Sequence, residues 1–127
     1  MNSPSEDIAQ IIADASLGTI GTDLFRGKQP PRTGLTITVY DTPGVAPFAD
    51  IKLYEPGVQV RVRDADYSTA YDKMLEIVEA LIVPTTREVN GTRYIGIWMA
   101  GDIESLGYDD NDRVSLFANF NTQRHEV

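Results

Sequence analysis

Gly57-Val58-Gln59-Val60-Arg61-Val62-Arg63-Asp64-Ala65-Asp66, running on through residues 67–82, decides the fold. Val58, Val60 and Val62 fall on one side of an extended chain and Gln59, Arg61 and Arg63 on the other, the period-2 pattern of a half-buried strand. Asp64-Ala65-Asp66 interrupts the alternation, and the Asp66 carboxylate is placed to accept the unpaired N–H groups of a helix start. From Tyr67 the period becomes 3.6. Tyr67, Ala70, Tyr71, Met74, Ile77, Val78 and Leu81 share one side, while Ser68, Asp72, Lys73, Glu76 and Glu79 lie opposite. A strand and a helix with apolar faces of this kind can enclose a core between them.

Outward from this unit the other elements follow. Ser3-Pro4-Ser5-Glu6 is a helix start, with Ser3 as cap, Pro4 in the first helical position and Glu6 completing a capping box. Ile8, Ile11, Ile12 and Ala15 form its stripe, and Leu17-Gly18 ends it. A short strand is expected around Leu24-Phe25. Paired prolines exclude regular structure from residues 28–34, and Leu35-Thr36-Ile37-Thr38-Val39-Tyr40 alternates as a strand with Leu35, Ile37 and Val39 inward.

Residues 41–56 form a long irregular segment with turn chemistry at Thr42-Pro43-Gly44 and apolar side chains at Val45, Phe48, Ile51, Leu53 and Tyr54. It reads as an arm or extended hairpin whose side chains are buried against something, either its own core or another chain. Asn90-Gly91 marks a type I′ hairpin. Tyr94-Ile95-Gly96-Ile97-Trp98-Met99 has apolar residues on both faces, as a central strand or one that meets another chain would. Residues 101–113 read as a polar loop rich in acids, residues 114–120 as the last strand, and residues 122–127 as a fraying tail. The expectation is a single α+β domain over residues 1–127. Its mixed, mainly antiparallel sheet packs with two helices.

Composition removes several function classes. The chain has 127 residues, 42% of them hydrophobic, so a core burying roughly two-thirds of the unfolded surface is within reach. Net charge is −8, concentrated in the C-terminal half, which argues against a phosphate-binding footprint or an anionic membrane surface. With no cysteine there is no disulfide, thiolate catalysis or cysteine-based metal site. No signal peptide or spanning segment is expected, leaving the cytoplasm as the default compartment. The one histidine, His125, lies in the polar tail with no nucleophile to serve. Asp109-Asp110-Asn111-Asp112 lacks the mid-loop Gly and distal Glu of an EF-hand and reads as a solvated turn. No cofactor, metal or catalytic residue is expected.

Several stretches, in order along nearly the whole chain, resemble the tail terminator (minor capsid) proteins of long-tailed bacteriophages. They are Ser5-Glu6-Asp7-Ile8-Ala9, Leu17-Gly18-Thr19-Ile20-Gly21, Val39-Tyr40-Asp41-Thr42-Pro43-Gly44 and Val58-Gln59-Val60-Arg61-Val62-Arg63. Further on come Tyr67 with Ala70-Tyr71, Ile97-Trp98 with Gly101-Asp102-Ile103, and Asn119-Phe120. The resemblance implies a non-enzymatic virion subunit, assembled in the host cytoplasm as a ring, typically a hexamer. Such a ring caps the head-proximal end of the tail tube, with the tube protein and a head-completion (neck) protein as partners and DNA only passing through its lumen. A cyclic ring needs two different patches on each subunit. The candidates are residues 45–54 (Val45, Phe48, Ile51, Leu53, Tyr54) and a Tyr94/Trp98 strand face, with Asp109, Asp110 and Asp112 facing the lumen. Two other readings remain: a head-completion or connector-type neck adaptor, and a small ligand-binding domain.

Overall fold

The computed structural model describes residues 1–48, 52–83 and 85–126. Among these, helix α1 (Pro4–Asp14) is followed by strands β1 (Leu24–Arg26), β2 (Thr36–Phe48) and β3 (Leu53–Asp64), and by helix α2 (Tyr67–Leu81). Strands β4 (Arg87–Val89), β5 (Thr92–Met99), β6 (Glu104–Tyr108) and β7 (Val114–Glu126) complete the chain. One sheet holds the strands in the order β1-β2-β3-β7-β5-β4, with β6 also paired to β7. Only β1–β2 is parallel. This is the expected α+β architecture.

β3 is central, as its alternation requires. Its valines pair with the core residues of both neighbours: Val60 lies opposite Val39 on β2 and Ala118 on β7, and Val62 opposite Ile37 and Leu116. The helices lie side by side over this face, and Ile8, Ile12, Met74, Ile77 and Leu81 are fully buried against it. At about 25 cal/mol per Å² of apolar surface withdrawn from water, this single layer is the main stabilising term. The caps act as their residues dictate. Ser3 Oγ accepts from Glu6 N, and the Asp66 carboxylate accepts from Thr69 N and Oγ1. The Thr69 bonds hold the Asp66 carboxyl below its ordinary pKa. Asn90 and Gly91 both have positive φ (51° and 79°), as a type I′ turn between β4 and β5 demands.

Four expectations are corrected. The tail expected to fray is strand as far as it is described: β7 continues to Glu126, Thr122 and Arg124 are buried, and Val127 lies outside the described residues. The polar composition concealed an alternation that runs on from Phe120, because the inward positions are filled by residues with internal partners. Residues 101–113 are not wholly loop. β6 pairs antiparallel with the start of β7, on the edge that β5 occupies further along, so β5 and β6 are successive segments of one interrupted strand. In α2, Tyr67 and Tyr71 turn out of the core, 44% and 37% exposed, because the sheet reaches only Ala70, Met74, Ile77 and Leu81. Tyr94 is the fourth. It is buried at 1% exposure rather than displayed beside Trp98. A register shift between Tyr94 and Gly96 inserts one residue and reverses the parity that the sequence spacing assumed.

Behind Tyr94 lies a buried polar cluster. Tyr94 Oη donates to Asp7 Oδ2 at 2.7 Å, Asn90 Nδ2 donates to Asp7 Oδ1 at 3.0 Å, and Arg124 Nη1 stands 3.3 Å from Asp7 Oδ2 and 2.9 Å from Asn2 O. Burial, then the bond to Asp7, pushes the Tyr94 phenol well above its usual pKa, so it remains a donor. The cluster joins α1, the β4–β5 turn and the end of β7. It ties the end of β7 to the start of the chain.

Candidate assembly surface

The segment over residues 41–56 is resolved as the extended-hairpin alternative. β2 and β3 remain paired from Thr36↔Arg63 out to Phe48↔Leu53, with register shifts between Thr42 and Val45 and between Val45 and Phe48. The strands cross closely here. A Cβ on Gly44 would collide with the Glu55 carbonyl and the Pro56 backbone, so only glycine fits. The base of the arm is tied to α1, since Asp41 accepts from Ser5 N and Ser5 Oγ, both at 2.8 Å.

The sheet face opposite the helices is open over most of its area. Its centre is a polar ladder: Gln59 Nε2 donates to Asn119 Oδ1 at 3.0 Å, Arg61 Nε donates to Gln59 Oε1 at 2.7 Å, and the Arg61 guanidinium sits 4.9 Å from the Tyr40 ring centre. The proline-rich segment covers one end of this face. There Arg63 donates to the Pro30 and Arg32 carbonyls, and Arg113 to Arg32 O. Burial, then the neighbouring Arg113 charge, lowers the Arg63 pKa from its usual value.

At the other end, Trp98 and Val45 come together. Trp98 pairs across the sheet with Asn121, its ring leans on Gly96, and it is 43% exposed; Val45 is 59% exposed. They line one groove of about 290 Å³ with Pro43, Gly44, Glu55, Asn121 and Thr122. Val45 and Trp98, expected in two separate patches, therefore border one groove. Leu53 and Tyr54 are half-buried, and Tyr54 lines a second hollow on the arm with Pro4, Asp41 and Pro47. The structure places Phe48 at the end of β2 opposite Leu53, and Ile51 lies outside the described residues.

The acids at 109–112 sit at the turn between β6 and β7. Asp109 is committed internally: its carboxylate accepts from Asn111 N and Arg113 N and pairs with Arg113 at 2.9 Å, which hold its pKa below the usual value. Asp110 and Asp112 are exposed. Among the described residues no three His, Asp or Glu side chains are placed to hold a metal ion, and no helix is long and apolar enough to cross a membrane.

A surface that includes Tyr67 and Tyr71, both expected on the inward side of α2, lies on the other side of the molecule. Tyr67, Tyr71, Leu75 and Ile82 are each 37% to 44% exposed along α2 and its C-cap, and the Tyr67 and Tyr71 rings stack with centroids 6.4 Å apart. The signal for it was present. Apolar residues cover an arc of the helix wider than one sheet face can bury.

The subunit thus has one helical layer, one open sheet face and exposed apolar groups on both. The bacteriophage tail terminator protein family matches residues 11–125, and the chain belongs to that family. Members of this family are structural, tail-related phage proteins. Among solved structures, a chain from the virion of a native gene transfer agent particle has the same fold. Its TM-score is 0.69 at 16% identity, over 97% of this chain and 95% of that one. No protein of curated function matches in sequence.

Proposed function

We propose that this protein is the tail terminator of a phage or phage-like particle. It closes into a ring, most simply a hexamer, on the head-proximal end of the tail tube, stops further addition of tube subunits and presents a surface to a neck protein. The observation that carries this reading beyond family membership is the groove in which the hairpin arm and β5 jointly expose Val45 and Trp98 on an otherwise ordered, polar sheet face. A Trp desolvated at the centre of a contact is among the few side chains that carry most of an interface's binding energy. The fold shared with a chain of a gene transfer agent virion supports a place in the particle. Asp110 and Asp112, exposed at the β6–β7 turn, are assigned to the lumen, where like charge keeps DNA from adhering.

The test is tube growth. Added to polymerising tube protein, this chain should yield tubes that stop elongating and carry a ring at one end, and Asp110→Asn with Asp112→Asn should cap equally well. Unchecked elongation, with the chain found instead on portal complexes, would contradict the reading in favour of a neck adaptor.

A further inference from the structure

A head-to-tail ring needs two different patches on each subunit, and the arm and the Trp98 strand supply only one. The second must lie elsewhere. The α2 stripe is the strongest candidate on the molecule: Tyr67, Tyr71, Leu75 and Ile82 follow one another at intervals of four, four and seven residues along α2 and its C-cap, and the inner side of the helix is locked into the core. Beside the stripe, Asp72 and Glu79 have no ion-pair partner among the described residues, and Glu76 reaches only Lys73, at 4.0 Å.

The open sheet face has the complementary character. Trp98 and Val45 are exposed apolar groups on it, and the Arg61 guanidinium has no carboxylate partner among the described residues. The two surfaces lie on opposite layers of one subunit. They cannot meet within a chain, and because they lie on opposite layers a two-fold pair cannot seat each copy's stripe on its partner's groove at the same time. Resting on the ring reading, we infer that the α2 stripe of one copy docks on the Trp98–Val45 groove of the next, with its acidic flank toward Arg61. Apolar meets apolar and acid meets base, and the same contact repeats around the ring.

The absence of native cysteine makes the pairing directly testable. Ser68→Cys borders the stripe and Asn121→Cys replaces one polar side chain of the groove lining; both positions are exposed, and the apolar side chains of the stripe and of the groove, Trp98 and Val45, are kept. With a short bis-maleimide, a mixture of the two variants should give cross-linked pairs that neither gives alone, and the double variant should give a ladder ending in a closed ring. Tyr71→Asp should raise the concentration needed for assembly by roughly 30-fold or more while the monomer melts normally. An assembled ring in which Ser68→Cys links only to itself, only to tube protein, or not to Asn121→Cys would overturn this pairing and leave the ring reading standing. A chain that remains a single copy both alone and on tail tubes would overturn both.

Discussion

Asp7 shows how far a single side chain can depart from its sequence reading. In the first turn of a helix an acid is ordinarily an exposed partner of the helix dipole. Here it is fully buried and collects Tyr94, Asn90 and Arg124 from distant parts of the chain. Nothing local in the sequence announces this, because its partners are more than 80 residues away. Only Arg124 left a trace, in the alternation with Phe120 and Thr122 that the polar tail obscured. Asp7→Ala removes the counter-charge of an Arg124 side chain that is 9% exposed. Breaking a buried pair from one side costs about 3–5 kcal/mol, whereas an apolar pair of similar volume is often neutral. Urea unfolding should therefore show Asp7→Ala strongly destabilised and Asp7→Leu with Arg124→Met much less so. Equal losses would mean that the ion pair is not what holds the C-terminal strand.

At the scale of elements, the helices and the valine strand were legible because their periods and caps agree with their burial. The β2–β3 arm was legible only as a pair of alternatives, since Pro43, Gly44, Pro47 and Pro56 carry turn chemistry into what became paired strands with two register shifts. The Tyr94–Trp98 face was misread for a related reason: one inserted residue changes which side chains share a face, and spacing alone does not reveal it. β6 gave no alternation to read, as all five of its residues are exposed and it is held by pairing to β7 alone. The arm depends on a glycine. Gly44→Ala should cost about 1–3 kcal/mol, as overpacking commonly does. Amide exchange should then show protection lost along residues 53–57 while Val58, Val60 and Val62 remain protected. Undiminished protection in the arm would mean that the crossing at Glu55 relaxes without cost.

For the whole molecule, the candidate surface was half legible. Val45 was named as an apolar residue of an irregular segment and Trp98 from a strand apolar on both faces, but their convergence in one groove, and the α2 stripe on the other layer, required the tertiary structure. A subunit with unlike patches on opposite layers either closes into a ring or runs on as a filament, and a terminator must close. Its net charge of −8 weakens non-specific adhesion to DNA and raises the self-repulsion that apolar contacts must overcome, so assembly is expected to strengthen with salt. A closed ring of copies of this chain is tested most directly by native mass spectrometry of the protein alone and bound to short tail tubes. One closed species, six copies in the simplest case, is expected in solution or on the tube end. A single copy under both conditions would contradict it.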